Sequence, residues 1–320
     1  MTESVTKLKV MTWNIYQGAN LIPLFTSTPE QIPQGVTEVF RQFLATNFPE
    51  RAKAIANQII LKEPDIIGLQ EAEIWELIPP NAETVTYDFV EILLNELRSC
   101  GLDYSIAAQN FNTESLLPSS TGNVIGLKDR DVILVREASK VKVIQKFEAN
   151  FNASLKIVVA GQPITILRGW SAIDACIEGH KFRFVNTHLE PLSPTVQVAQ
   201  AEELLEGPAK TKLPLIFAGD FNSFANGTGT PTYQILIAAG FADTWNIAGT
   251  GNGFTCCQDA DVINAVSYLN YRIDLILIKE LEQWDVIKVD VVGEAQSDRT
   301  NTRLWPSDHA GVVAKLNIKC

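Results

Sequence analysis

Short apolar segments with polar, chemically reactive side chains in them or at one end recur along the whole chain. Six such segments carry these residues: Asn14, Gln70 with Glu71, Asn186 with His188, Asp220 with Asn222, Asp274, and Asp308 with His309. Segments that are apolar throughout are typical of strands buried on both faces of a sheet. A polar residue after a single strand usually caps a turn, but six strand ends that converge on one rim favour a functional site.

The remaining patterns predict an α/β fold in which helices cover sheets. Apolar runs bounded by turn residues predict eight strands, at Leu8–Ile15, Asp65–Gln70, Val132–Arg136, Lys156–Val159, Phe182–Asn186, Leu215–Ala218, Ile273–Ile278 and Val312–Asn317. Helical periodicity predicts four helices, at Pro49–Leu61, Tyr87–Ser99, Thr195–Glu206 and Thr230–Ala239. Since no repeat and no linker-like stretch divides the chain, we expect one domain over residues 1–320.

Residues 16–48 form the least regular stretch of the sequence. It follows the first predicted strand directly and carries three prolines and the apolar run Leu21–Phe25. A long irregular excursion next to a site is more often a lid or a wall than an idle loop. We therefore expect this segment to border the substrate, although its apolar residues could equally pack it onto the domain.

Charge and cysteine content restrict the partners of the protein. With 26 basic and 37 acidic residues the net charge is −11, which disfavours nonspecific coating of nucleic acid but still permits a nuclease whose bound cation supplies positive charge. The five cysteines form no metal-binding spacing and are expected to be buried or free thiols, although Cys256 or Cys257 could pair with Cys100 or Cys176.

The N-terminus and the hydropathy pattern concern localisation. The N-terminal sequence MTESVTKLKV has no signal-peptide pattern, which favours the cytoplasm; a secreted or periplasmic chain that has lost its signal peptide would look the same. No apolar stretch is long enough to span a membrane, so no stable membrane span is expected. The sequence identifies no protein partner.

The polar strand ends predict a divalent metal site. Crowded carboxylates repel one another unless a cation lies among them. Carboxylate and amide oxygens are ligands that Mg²⁺ and Mn²⁺ prefer, whereas the set contains no cysteine that would favour zinc. Two of the three histidines, His188 and His309, lie at the same strand ends, where imidazoles can transfer protons and stabilise the charge of a phosphoryl transition state.

The segments NIYQG, LQEAE, NTHLEP, GDFNS, RIDLILI and SDHAGVV, in this order from Lys9 to Leu316, resemble the endonuclease/exonuclease/phosphatase superfamily, and the GFTCC segment resembles uncharacterised bacterial members. The resemblance implies a DNase I-like, four-layered α/β sandwich in which two packed mixed β-sheets are flanked by helices. It also implies metal-dependent hydrolysis of a phosphodiester by in-line attack of water.

The resemblance also implies roles for eight residues. Glu71 is similar to the principal metal ligand, with Asn14 and Asp308 beside it. Asp220 and Asn222 resemble the pair that orients or deprotonates the attacking water and holds the phosphate. His309 resembles the histidine that faces the scissile phosphate, and Asp274 the carboxylate that fixes its tautomer. His188 resembles a second histidine that donates to a phosphate oxygen or to the leaving group. Whether Asp220 or His309 takes the proton stays open at this point.

The natural substrate stays open between a small organic, a lipid and a nucleic-acid phosphodiester. No cluster of Lys and Arg with interleaved aromatic residues is available to bind a strand, which disfavours a polymer. The apolar residues of segment 16–48 favour a smaller or lipid-like, sphingomyelinase-like substrate. A DNA or RNA nuclease is the main alternative, and a non-catalytic binding module is the least favoured.

Several other features suggest structural roles. Trp13, beside Asn14, is expected in the core. Lys128, Arg130 and Arg136 alternate with Asp129 and Asp131, which favours an exposed ladder of opposite charges over a phosphate site. Arg272 fits either an ion pair or a phosphate contact, and Trp305 either core packing or the rim of the site.

Overall fold

The computed structural model describes residues 6–319 as two β-sheets and seven α-helices. The strands are Thr6–Asn14 (β1), Ile66–Gln70 (β2), Ile74–Ile78 (β3), Val85–Asp88 (β4), Tyr104–Pro118 (β5), Val124–Arg136 (β6), Val141–Asn150 (β7), Leu155–Val159 (β8), Gln162–Ile166 (β9), Gly169–Ile177 (β10), His180–His188 (β11), Leu215–Asp220 (β12), Ala242–Asp243 (β13), Asp274–Lys279 (β14), Trp284–Val292 (β15) and Gly311–Ile318 (β16). The two short strands β8 and β9 form a hairpin outside these sheets. The helices are Ile22–Phe25 (α1), Ile32–Ala45 (α2), Phe48–Lys62 (α3), Phe89–Ser99 (α4), Pro194–Glu206 (α5), Thr232–Ala238 (α6) and Thr244–Ala248 (α7). Two 3₁₀ turns complete the regular structure, at Leu281–Gln283 and Gln296–Asp298.

Both sheets are mixed. The first holds eight strands in the order β15-β16-β1-β2-β6-β3-β4, with β5 paired to β6. The second holds six strands in the order β13-β14-β12-β11-β10-β7. Strands β1 and β2 run parallel in the first sheet, and β11 and β12 run parallel in the second. Strand β14 is antiparallel to β12, which places Asp274 directly opposite Asp220.

Alternating side chains build four layers from these strands. In β1, Leu8 and Val10 belong to the apolar core between the sheets, whereas Met11 and Trp13 pack toward α2, α3 and α4 on the outside. A third core fills the space between the second sheet and helices α5 and α6. This alternation follows from the two-residue period of a strand. The layers are therefore helix, sheet, sheet and helix, which confirms the predicted four-layered α/β sandwich.

Local sequence signals determine where several helices begin. Asp88 caps the start of α4, where its carboxylate accepts a hydrogen bond from the Glu91 amide. Ser193 caps α5 in the same way, with Pro194 in the first turn of the helix. Such side-chain acceptors satisfy amide groups that have no partner inside the helix. None of the helices within residues 6–319 has both the length and the apolarity that a membrane crossing needs.

The structure corrects several sequence predictions. Segment 16–48 is not irregular, because it contains α1 and the 14-residue helix α2. Nor do Arg130 and Asp131 form an exposed ladder: both are buried, and Arg130 pairs with Asp88 at 2.6 Å. Half of the strands were not predicted, among them the long strand β5, since their exposed faces interrupt the apolar runs.

The structure also shows the environment of the cysteines, of two tryptophans and of Arg272. Cys256 and Cys257 are bonded to each other rather than to Cys100 or Cys176, which are free; Cys320 lies outside the described residues. Trp13 is in the core as predicted, and Trp305 is fully buried. Of the two roles predicted for Arg272, the structure shows the ion pair, which it forms with Asp243 at 2.6 Å.

Candidate active site

The predicted site residues lie on the inner faces of both sheets, at one end of the sandwich. In β12, Ile216 and Ala218 belong to the core between the sheets, and Asp220 continues the same face. The same alternation carries Asn14 in β1, His188 in β11 and Asp274 in β14 onto the inner face. The site is therefore a polar continuation of the apolar core, and the distances between its groups are set by the packing of the two sheets.

A layer of hydrogen bonds separates this polar end from the apolar core. Gln70 donates to Asn186 at 2.6 Å and to Thr12 at 3.1 Å, so that one amide links both sheets. The Asn186 amide in turn donates to the carbonyls of Leu69 and Val132. A buried polar group without a hydrogen-bond partner is costly. A network in which every such group is paired therefore fixes the orientation of the two sheets relative to each other. This layer holds the sheets in the register that the site needs.

Asp220 lies at the centre of the site. Its Oδ1 accepts from the Asn222 backbone amide at 2.9 Å, and its Oδ2 accepts from Asn14 at 3.1 Å. His188 Nε2 and His309 Nδ1 lie 3.5 Å and 3.8 Å from the same Oδ2. Burial, and after it the negative charge of Asp274, raises the pKa of Asp220 to about 7. A carboxylate with this pKa is suited to accept a proton near neutral pH.

His309 is paired with Asp274. Its Nδ1 lies 2.9 Å from Asp274 Oδ2, which leaves Nε2 on the other side of the ring. Burial opposes a charged imidazolium, but the carboxylates of Asp274, Asp308 and Asp220 outweigh it and raise the pKa of His309 well above its usual value. His309 is therefore the positively charged histidine of the site, held in one orientation by Asp274.

His188 has the opposite protonation state. Its Nδ1 lies 3.1 Å from Arg168 Nη1, and Arg168 also pairs with Asp129 at 3.2 Å. A guanidinium only donates, so Nδ1 must accept and the ring proton must be on Nε2. Burial, followed by the positive charges of Arg168 and His309, lowers the pKa of His188 well below its usual value. The site thus combines one neutral imidazole with one charged imidazole.

Glu71 and Asp308 form the acidic side of the site. Glu71 adopts a positive φ of 53° directly after β2, and its carboxylate accepts from Gln17 N at 2.6 Å and from Asn14 at 3.2 Å. Burial, reinforced by Glu71 and opposed by His309, raises the pKa of Asp308 to about 7. Two neighbouring, partly buried carboxylates repel each other without a cation, and their hard oxygens fit Mg²⁺ or Mn²⁺.

Asn14 and the cluster around Asp220 are less suited to bind the ion directly. Asn14 Oδ1 accepts from the Tyr16 amide at 3.0 Å, so the side chain presents its Nδ2 to Glu71 and Asp220. The ligand atoms of Asp220, Asp274 and His309 also lie within 4.8 Å of one another. The direct hydrogen bond between His309 and Asp274 occupies the space between those two groups, which leaves Glu71 and Asp308 as the better cation ligands.

Two arginines that sequence reasoning did not select support the site. Arg168 orients His188, as described above. Arg51, in α3, is fully buried and donates to the carbonyls of Ile15, Tyr16 and Pro306. These carbonyls are close in sequence to Asn14 and to Asp308. Neither arginine lies at the end of an apolar strand, which is the signal that identified the other residues.

The site opens into one cavity of about 360 Å³. Six of the predicted residues line it: Glu71, His188, Asp220, Asn222, Asp308 and His309. Asn14 and Asp274 lie behind this surface, where they contact Asp220 and His309. The structure therefore brings all eight predicted residues together, six facing the cavity and two positioned behind it.

Sequence comparison identifies the family. The model of the endonuclease/exonuclease/phosphatase family matches residues 11–309. The chain belongs to this family. No curated protein shows significant sequence similarity to the chain. Membership makes the protein a phosphoric ester hydrolase, which confirms the predicted family and enzyme class.

Solved structures of the endonuclease/exonuclease/phosphatase family share the fold at low sequence identity. A family protein from Bacteroides thetaiotaomicron is 18% identical with a TM-score of 0.60, over 99% of this chain and 100% of that one. TDP2 from D. rerio, in complex with a single-strand DNA product, is 19% identical with a TM-score of 0.56, over 97% and 99%. A mannosyl-6-phosphatase from B. thetaiotaomicron is 17% identical with a TM-score of 0.56, over 97% and 99%. These matches establish the DNase I-like fold.

Proposed function

We propose that the protein is a phosphodiesterase that uses Mg²⁺ or Mn²⁺ and cleaves its substrate by in-line attack of water. The observation that carries this proposal is the convergence of Glu71, Asp308, Asp220, His188 and His309 at one end of a single cavity. Metal-ligating oxygens, a proton acceptor and two imidazole donors can together activate water and stabilise the charge that develops when a phosphoester is hydrolysed.

Glu71 and Asp308 hold the metal ion in this mechanism. Asn14 fixes the Glu71 carboxylate relative to Asp220, since its amide donates to both. The bound cation supplies positive charge to the phosphoryl oxygens and to the leaving oxygen.

Asp220 is the proposed general base. Of Asp220 and His309, it is the group in position to accept a proton, because three carboxylates keep His309 protonated. Asn222, whose backbone amide holds the Asp220 carboxylate, lies in the cavity wall and contacts the phosphate.

The two histidines act on the phosphate and on the leaving group. His309 offers a charged Nε2–H to the oxygens that gain negative charge in the transition state, with Asp274 holding the ring. His188 donates from Nε2–H, a tautomer that Arg168 fixes. Preorganised donors of this kind stabilise the transition state without reorganisation.

Charge balance favours a diester over a monoester. Among the described residues that line the cavity, Arg168 is the one lysine or arginine side chain, and Glu71, Asp129, Glu190, Asp220 and Asp308 are acidic. A phosphodiester carries one negative charge, whereas a monoester carries almost two at neutral pH. The smaller charge is the better match for one bound cation in such an acidic site.

Hydrolysis of bis(p-nitrophenyl) phosphate and of p-nitrophenyl phosphate, each with Mg²⁺, Mn²⁺ or EDTA, tests the proposal. We expect faster turnover of the diester, loss of activity in EDTA, and a decrease in kcat of about 10²- to 10⁴-fold in His309→Ala. His180→Ala makes the same change at the opposite end of β11 from His188 and is expected to retain activity. Equal turnover of both variants would contradict the assigned role of His309.

The alternatives give different results in the same tests. A nuclease would nick supercoiled plasmid DNA in Mg²⁺, and a non-catalytic binding module would bind Mn²⁺ without turning over any ester. The acidic cavity supplies no row of cations for a nucleic-acid strand, so we expect no nicking at enzyme concentrations that hydrolyse the diester.

A further inference from the structure

The cavity that contains the site is chemically divided. Its polar end is formed by the residues at the strand ends, such as Asp220 and His309. The rest is lined mainly by aliphatic side chains, including Leu24 and Val36 of segment 16–48 and Ile164 of the β8–β9 hairpin. One continuous space therefore joins the groups that would act on a phosphoester to an apolar compartment.

The apolar compartment lies between the first sheet, which contributes Leu117, Ile125 and Leu127 of β5 and β6, and parts of the chain outside the two main sheets. Helices α1 and α2 provide one wall, and the β8–β9 hairpin provides another. An isolated two-stranded hairpin is marginally stable in water. Strands β8 and β9 are held in place because residues such as Val159 and Ile164 pack on the apolar core between the first sheet and its covering helices. These additions enclose space beside the site.

The side chains that line the apolar compartment indicate which class of ligand it can bind. A nucleobase is bound by stacking on aromatic rings and by donors and acceptors along its edge, whereas branched aliphatic side chains such as Leu24, Val39 and Ile164 predominate in these walls. Arg168, the one lysine or arginine among the described lining residues, is at the polar end, where it contacts His188. The compartment therefore matches a hydrocarbon chain and offers little to a sugar or a base.

We infer that this compartment binds an alkyl chain attached to the phosphate, so that the preferred substrates are lipid-like phosphodiesters with one apolar chain. The inference rests on the proposed phosphodiesterase function and makes segment 16–48 a wall of the substrate site. At roughly 30 Å³ for a water-sized group, a cavity of about 360 Å³ holds on the order of ten groups. This capacity fits a phosphate with a medium-length chain, and a longer chain would extend into solvent.

A series of p-nitrophenyl alkyl phosphates tests the inference, with methyl, butyl, octyl and hexadecyl esters kept below their micellar concentrations. Burial of each methylene contributes about 0.8 kcal/mol, or about fourfold in kcat/KM when burial is complete. We expect kcat/KM to rise with chain length through the octyl ester and then to level off. If the chain bound nonspecifically to the protein surface, kcat/KM would instead continue to rise for the hexadecyl ester.

Matched variants locate the binding site of the chain. Ile164 lines the cavity, whereas Thr165, its neighbour in β9, is exposed. We expect Ile164→Asp to reduce the ratio of octyl to methyl kcat/KM at least tenfold and Thr165→Asp to leave both values unchanged. Ile22→Asn, at a half-exposed position in the other wall (54% exposed), tests the same ratio with little risk to folding.

The outcomes separate the inference from the proposed function. Turnover of the methyl ester without any dependence on chain length would overturn the apolar compartment and leave the phosphodiesterase intact. A chain-length dependence that survives in both Ile164→Asp and Ile22→Asn would also overturn it. No turnover of any ester with Mg²⁺ or Mn²⁺ would overturn the proposed function together with the inference.

Discussion

Arg51 provides the most quantitative test of how this site is held together. Its guanidinium is fully buried and donates four hydrogen bonds, to the carbonyls of Thr46 at 2.9 Å, Ile15 at 2.8 Å, Pro306 at 2.9 Å and Tyr16 at 3.1 Å. No described carboxylate pairs with it directly, so main-chain carbonyls solvate its charge. One side chain thus connects the end of β1 to the loop that carries Asp308.

The expected cost of removing Arg51 follows from these contacts. A hydrogen bond to a charged group contributes roughly 1.5 kcal/mol or more, so four amount to at least about 6 kcal/mol. Burial lowers the pKa of Arg51 from 12.5 to about 10, which at about 1.4 kcal/mol per pH unit corresponds to a cost of roughly 3 kcal/mol for burying the charge. The net contribution is about 3 kcal/mol, and Arg51→Met should lose about this much.

Thermal and urea unfolding at pH 7 measure this loss. For a chain of this size about 3 kcal/mol corresponds to a decrease in Tm of roughly 4 to 5 °C. Arg51→Lys keeps the charge, but a single ammonium group cannot reach four carbonyls in three segments, so we expect it to recover less than half of the loss. Lys53→Met, at an exposed position of the same helix that pairs with Glu50, should change Tm by less than about 1 °C.

The result that would refute this reasoning is an Arg51→Met protein whose Tm lies within about 2 °C of the wild type. A large loss in Lys53→Met would equally show that the decrease does not report the buried hydrogen bonds. Titration with Mn²⁺ adds a functional measurement: because Arg51 supports the loop before Asp308, Arg51→Met should weaken metal binding in the protein that remains folded.

Three further predictions concern the charged groups. Asp274→Asn removes the carboxylate that keeps His309 charged, so kcat should fall about 10²- to 10³-fold and the basic limb of the pH–rate profile should move to lower pH; an unchanged limb would argue against this pairing. Burial, and after it the charge of Asp129, raises the pKa of Asp131 well above 3.8. Ionisation of Asp131 is therefore disfavoured in the folded state. The stability that the protonated side chain contributes is fully present below pH 3.8 and is lost as the pH rises toward the raised pKa. The difference in unfolding free energy between Asp131→Asn and the wild type should therefore grow from pH 5 to pH 8, and a constant difference in urea titrations would contradict this. Mn²⁺ should raise the Tm of the wild type by relieving the repulsion between Glu71 and Asp308, and Glu71→Gln should reduce that increase.

The apolar strands predicted an α/β fold with helices covering sheets, the family resemblance implied that two sheets pack together, and the polar strand ends indicated the proposed site residues. A buried strand presents alternate residues to one face, so a polar residue that continues the alternation of Ile216 and Ala218 must lie with them on the inner face, as Asp220 does. The predictions of strands and of burial failed in segments where residue type does not reveal which side chains face the core. Strand β5 has a largely exposed face, and the alternating charges around Arg130 and Asp131 resembled a surface pattern although both residues are buried.

What the sequence by itself determined is the set of chemical groups and the sheet face on which each one lies, because both depend on residue type and on a two-residue period along the chain. Only the tertiary structure decided how those groups act on one another. The neutral state of His188 depends on its burial and on the charges of Arg168 and His309. The charged state of His309 depends on three carboxylates contributed by separate strands and loops. The cavity likewise forms where segment 16–48 and the β8–β9 hairpin meet the first sheet beside the strand ends. Electrostatic shifts and enclosed volume depend on distances between residues far apart in the chain, and a one-dimensional pattern does not contain those distances.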